Sequence, residues 1–123
     1  MKKPFELVGT IAPGCKYLAA IRIYPDAKSL QKAVGCLSFL EGEIQAFCSS
    51  EEGENGIIAT LNFCRGKMPP EVVAHEVYHA VSEMVRFLRL DISDSNAQEL
   101  AAYAVTHLVC RVREAERLSK KRK

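Results

Sequence analysis

PPEVVAHEVYHAVSEMVRFLRL, residues 69–90, is the stretch on which the reading of this chain turns. Val73, Val77, Ala80, Val81, Met84 and Leu88 recur at three- and four-residue intervals, the period of a helix with one apolar face. Pro69-Pro70-Glu71 opens it. Proline is tolerated in a first turn, where its missing N–H is no loss, and an acidic side chain suits the positive helix pole. The spacing predicts a helix through about Leu90. Asp91 to Asp94 is a polar break, and Asp94 or Ser95 can cap a second long helix. Leu100, Ala101, Ala104, Leu108 and Val112 are its expected buried face.

Upstream the pattern changes to strands. Phe5 to Ile11 and Leu18 to Tyr24 are rich in β-branched and aromatic residues, with the turn-forming Pro13-Gly14 between them. Pro25-Asp26 breaks the second strand, Asp26 can cap a short helix over Ala27 to Val34, and Gly35 stops it. Three further strands are expected: Leu37 to Leu40, Ile44 to Cys48 and, after a polar loop from Ser49 to Gly56, Ile57 to Cys64. In the last of these Ile57, Ala59, Leu61 and Phe63 alternate with Thr60 and Asn62, the mark of a half-buried strand. The layout is α+β: an N-terminal antiparallel or mixed sheet packed on two long helices. A single domain over residues 1–118 and a basic tail over residues 119–123 account for the whole chain.

The first long helix carries a chemical motif, His75-Glu76-Val77-Tyr78-His79. Residues four apart project from one helix face, one turn apart, so His75 and His79 can bind one tetrahedral Zn2+. Glu76 is aimed beside such a metal, where it can take a proton from the zinc-bound water that attacks a carbonyl. The chain has three histidines, and two of them stand in this motif. Without a metal, two neutral imidazoles flanked by Val73, Ala74, Val77 and Ala80 would be partly buried, each nitrogen requiring a partner. A third ligand is needed. Glu99 is the leading candidate, because two helices joined by a short link run antiparallel as neighbours and return it towards the histidine turn. His107, two turns further along nearly the same face, is its rival. Tyr78 turns away from the zinc face and reads as structural.

His75-Glu76-Val77-Tyr78-His79, with Glu99 twenty positions after His79, resembles the gluzincin branch of the zincin metallopeptidases and its thermolysin-like spacing. Asn96-Ala97-Gln98-Glu99 is similar to the glutamate helix of that family, with two residues intervening between Asn and Glu. The short chain looks closer still to the minimal zincin domains of phage and mobile-element proteins. The resemblance covers roughly Ile57 to Leu108. It implies a zinc metallopeptidase-type hydrolase, with His75, His79 and Glu99 as ligands and Glu76 as the base that activates water. Where the thermolysin-like enzymes carry an aspartate one turn after the glutamate ligand, this chain has Tyr103, whose hydroxyl could stabilise an oxyanion. The edge strand beside the motif helix would hold an extended peptide, and Ile57 to Cys64 is the expected strand. No second domain is seen to form the far wall of a cleft. The same features therefore also fit a zincin-shaped regulatory or binding protein with little or no catalysis.

Composition narrows the setting. No apolar run among the 123 residues approaches membrane-spanning length, and the N-terminus shows no signal-peptide pattern, so a cytoplasmic protein is expected. Five scattered cysteines without a C-x-x-C pair read as free thiols, although Cys48 and Cys64 could approach on neighbouring strands. The net charge is +2, and basic residues concentrate from Arg111 to Lys123. That end could touch nucleic acid, but a solvated helix end whose cations favour the negative helix pole is the simpler account. A peptide or protein substrate is the expected partner.

Overall fold

The computed structural model describes residues 3–35, 46–50 and 54–121. Four strands form one mixed sheet: β1 (Phe5–Thr10), β2 (Leu18–Tyr24), β3 (Ala46–Ser50) and β4 (Ile57–Cys64), in the order β1-β2-β4-β3. β1 and β2 are antiparallel and joined by the Pro13-Gly14 turn. β2 and β4 are parallel, which requires a crossover. α1 (Ala27–Val34) lies in that crossover, capped by the Asp26 side chain on the Ser29 N–H at 2.8 Å and stopped at Gly35, whose φ is 66°. Its Leu30 packs with Tyr24 and Cys64. β3 runs antiparallel to β4, with Cys48 opposite Leu61.

The sheet's other face carries the main core. Ile21, Ile23, Leu61 and Phe63 meet Val73, Val77, Ala80 and Met84 of α2 (Pro70–Phe87) and Ala104, Leu108 and Val112 of α3 (Ser95–Lys120). α2 packs over β3 and β4, and α3 over β1 and β2. The architecture is α+β as expected. No described helix is long and apolar enough to cross a membrane.

Several boundaries differ from the sequence reading. The expected strand Leu37 to Leu40 lies outside the described residues. β3 ends at Ser50, not Cys48, and the loop after it contains a 3-10 turn at Glu54–Gly56. β4 is not half-buried: Thr60 and Asn62 are buried along with the apolar side chains of the strand, because it is covered on both faces. It is also internal, paired to β2 on one side and β3 on the other, so the expected peptide-holding edge is not there. Among the described residues, the edge strand next to α2 is β3. At the C-terminus α3 continues through Lys120. The Ser119 side chain is buried and its carbonyl accepts a 2.7 Å bond from Arg65, so the fold extends past residue 118. Asp94, not Ser95, caps α3 through the Asn96 N–H.

α2 stops three residues before Leu90 for a local reason. Arg89 adopts φ 54°, its N–H bonds the Arg86 carbonyl, and the Leu90 N–H reaches back to Val85 at 3.0 Å. This is the paired closure that usually uses glycine, because a Cβ in left-handed backbone is strained. Arg89→Gly is therefore expected to stabilise the fold by roughly 0.5–1 kcal/mol, read as a raised midpoint in urea unfolding. An unchanged or lowered midpoint would show that Arg89 gains more from its side chain than it loses in backbone strain.

Candidate metal centre

The helical period assigns each motif residue its direction. Val73, Val77, Ala80 and Met84 hold α2 down on the sheet. Successive residues are turned by about 100°, so His75 and His79 face outward, and both are exposed. The partly buried setting expected for metal-free histidines does not occur. Their Nε2 atoms lie 3.2 Å apart, with the rings edge to face at 73°. Two nitrogens on a tetrahedral zinc at ordinary bond length stand about 3.3 Å apart. The separation therefore matches that of two nitrogen ligands on one metal ion. The same spacing suits an N–H···N bond when one ring carries the proton at Nε2.

Glu76 points the other way, into the seam between α2 and the sheet's β3 edge. Only 6% of the residue is accessible. Its carboxylate accepts the backbone N–H of Cys48 on β3, and Oε2 lies 4.0 Å from His75 Nε2. Burial pushes its pKa above the ordinary carboxylate value, while the two histidines and the Cys48 N–H pull it back. A carboxylate with a raised pKa, held beside two imidazoles, is suited to accept and return a proton.

The remaining expected residues are distributed differently. Ala101 and Val105 are the α3 residues that line a groove against Tyr78, Val81 and Val85 of α2, and so mark the α2-facing side of α3. Glu99 and Tyr103 each stand two residues from Ala101, about 200° around the helix. Both are exposed. Glu99 is four residues into α3, and His79 is eight residues before the end of α2. Tyr103 shares its face with His107, one turn later. His107 Nε2 lies 2.8 Å from the Thr10 carbonyl on β1, at the opposite edge of the sheet from β3. His107 is thus a bonded structural histidine. Among the described residues, no three His, Cys, Asp or Glu side chains gather around a common metal position.

Two residues enter that the sequence reading did not assign to the site. Tyr78, read as structural, is 69% exposed, and its ring meets His79 at 6.2 Å. Cys48 supplies the N–H that holds Glu76. An HExxH helix contains no signal for which strand residue will face its glutamate. Cys48 and Cys64 stand on neighbouring strands with no disulfide between them, and they belong to separate cores on opposite faces of the sheet. At the basic end of α3, Arg111 and Arg113 pair with Glu114 and Glu116 within the helix, which spends part of the charge that nucleic acid would need.

The Cys48 thiol is pushed up to about 12, first by burial and then by the charges of Glu76 and Glu83. A raised thiol pKa means that the fold favours the neutral form. That contribution is intact below the ordinary value near 9 and is lost as pH rises through about 12. Maleimide labelling at pH 8, read by peptide mass, should modify the exposed Cys110 rapidly and Cys48 only after unfolding. Equal rates in the native protein would contradict this environment. No protein family, curated protein or solved structure compared with this chain gives a match.

Proposed function

We propose that this protein is a zinc-dependent hydrolase of peptide or amide bonds, with His75 and His79 holding the metal and Glu76 serving as the base. The observation that carries the reading is the 3.2 Å approach of the two Nε2 atoms beside a buried glutamate. Zinc, when bound, supplies Lewis acidity that polarises a carbonyl and acidifies water. The protein's own part is directional. α2 fixes both imidazoles on one outward turn, and the Cys48 N–H fixes the Glu76 carboxylate, so that one oxygen stays on the histidine side to take a proton from water and pass it to the leaving amine. Glu99 is named third ligand on its spacing after His79 alone, and Tyr103 oxyanion donor on its position after Glu99; both stand on the side of α3 turned away from α2, and the Glu99→Ala measurement below decides whether either belongs to the metal centre.

A second reading is a zinc-binding regulatory protein built on the same helix. It is favoured by the convergence of only two ligating side chains among the described residues. The two readings separate experimentally. Under the hydrolase reading, elemental analysis gives one zinc per chain, and His75→Ala or His79→Ala abolishes it. Glu99→Ala lowers zinc affinity by at least tenfold. Glu76→Gln keeps the metal and lowers peptide hydrolysis by roughly 10²–10⁴-fold. Zinc retained with hydrolysis absent in the unaltered protein favours the regulatory reading. A well-folded protein that takes up no zinc overturns both.

A further inference from the structure

We infer that the outer surface of α3, along its seam with α2, is the contact face of a symmetric dimer of this chain. Residues 100–110, LAAYAVTHLVC, form about three turns of α3 without one Asp, Glu, Lys or Arg. Only Ala104 and Leu108 of this stretch are buried in the core. Ala102, Val105 and Thr106 are exposed on it. A helix that is uncharged all round is ordinarily covered all round, and in the single chain this one is covered on one side. Five large apolar side chains are exposed among the described residues, and three of them, Tyr78 at 69%, Ile92 at 50% and Val105 at 40%, line this one seam. Single exposed apolar residues need no explanation, but a row of them marks an interaction surface.

Charge identifies the occupant. Asp91, Asp94 and Glu99 precede the uncharged turns, and Arg117, Lys120 and Lys121 follow them. All six are exposed, and none enters an ion pair among the described residues. A second α3 laid antiparallel across the first sets each acidic end on the basic end of the other, and a two-fold axis makes both contacts alike. A parallel arrangement would set like charges together. With the axis between Val105 and Thr106, Asp94 stands opposite Arg117 of the second copy, Asp91 near its Lys120, and Ala102 opposite its Val109. One register thus pairs the charges at both ends and a small side chain with a larger one between them. Thr106 enters without an unmet polar group, because its hydroxyl donates to the Ala102 carbonyl at 3.3 Å.

The α2 flank completes the face. A stable interface covers about 800 Å² per partner, and a single helix face is narrow for that. Tyr78 and Ser82 on α2 extend it. Cys110, about 80° further round the helix than Ala102, stays at the rim. Tyr78 also adjoins the histidines, its ring 6.2 Å from that of His79. The second copy therefore walls the α3 flank of the His75–His79 turn, opposite the Glu76 seam. The dimer itself needs no zinc.

The test is sedimentation equilibrium of the full chain from 1 to 300 μM in EDTA, which keeps the histidine pair from bridging copies through a metal. The expected mass at the upper concentration is twice the chain's 13.7 kDa. Val105→Asp and Ala102→Lys, both at exposed positions, should leave a monomer with an unchanged circular dichroism spectrum. Arg117→Glu with Lys120→Glu should weaken association at least tenfold at low salt. In a Cys110→Ser background, mild oxidation should link Thr106→Cys chains to each other across the axis. Ala102→Cys chains should not link, because those positions stand about 10 Å apart along antiparallel helices. A monomer at 300 μM overturns the proposal and leaves the face to a different protein or peptide. A dimer indifferent to both Val105→Asp and Ala102→Lys places the interface elsewhere, and any other pattern of linking overturns the antiparallel register.

Discussion

The packing of α2 across β3 and β4 constrains everything else at the candidate site. Val73, Val77, Ala80 and Met84 are essentially removed from water against Leu61 and Phe63. Once those side chains point down, the helical repeat leaves no freedom for the others. His75 and His79 must face solvent, Glu76 must enter the seam at the β3 edge, and Tyr78 must lean towards α3. The chemistry is thus set by a core contact that takes no part in it. A change in how α2 rolls on the sheet would move all four residues together.

Glu76 is where that constraint becomes expensive. Helical geometry turns a carboxylate into a largely dry seam, and desolvation favours its neutral form. The Cys48 N–H and the two histidines offset part of this cost. Among the described residues β3 is the sheet's edge strand, so its main chain has a donor to give to α2. β4, bonded to strands on both sides, is less free to do so. The neutral Cys48 thiol on the same strand belongs to this environment, since a second anion there would face both Glu76 and Glu83.

α3 plays a different part. It is fastened to the end of β1 by His107 on the Thr10 carbonyl, and to the β4–α2 connection by Arg113 on the Met68 carbonyl and Arg65 on the Ser119 carbonyl. Between them the helices leave a recess on the outer surface, because Ala101 and Ser82 are too small to close it. Small residues at facing positions are what separates a groove from a continuous apolar seam.

The helices, their caps and the α+β order were legible because they follow from local periods and cap chemistry. Asp26, Gly35, Pro70 and Asp94 each act on neighbours a few residues away. The pairing of His75 with His79 was legible for the same reason: four residues on a helix is a fixed distance. Strand order was not, because it depends on contacts between distant segments, and so β4 rather than β3 was expected at the edge. The burial of Glu76 and its bond to Cys48 join residues far apart in the chain, and no local pattern records them. Glu99, Tyr103 and His107 share that limit. The sequence by itself determined that two imidazoles and a glutamate would share one helix turn. Only the tertiary structure decided which way each neighbouring element faces them, because helix rotation and sheet order are set by packing across the core.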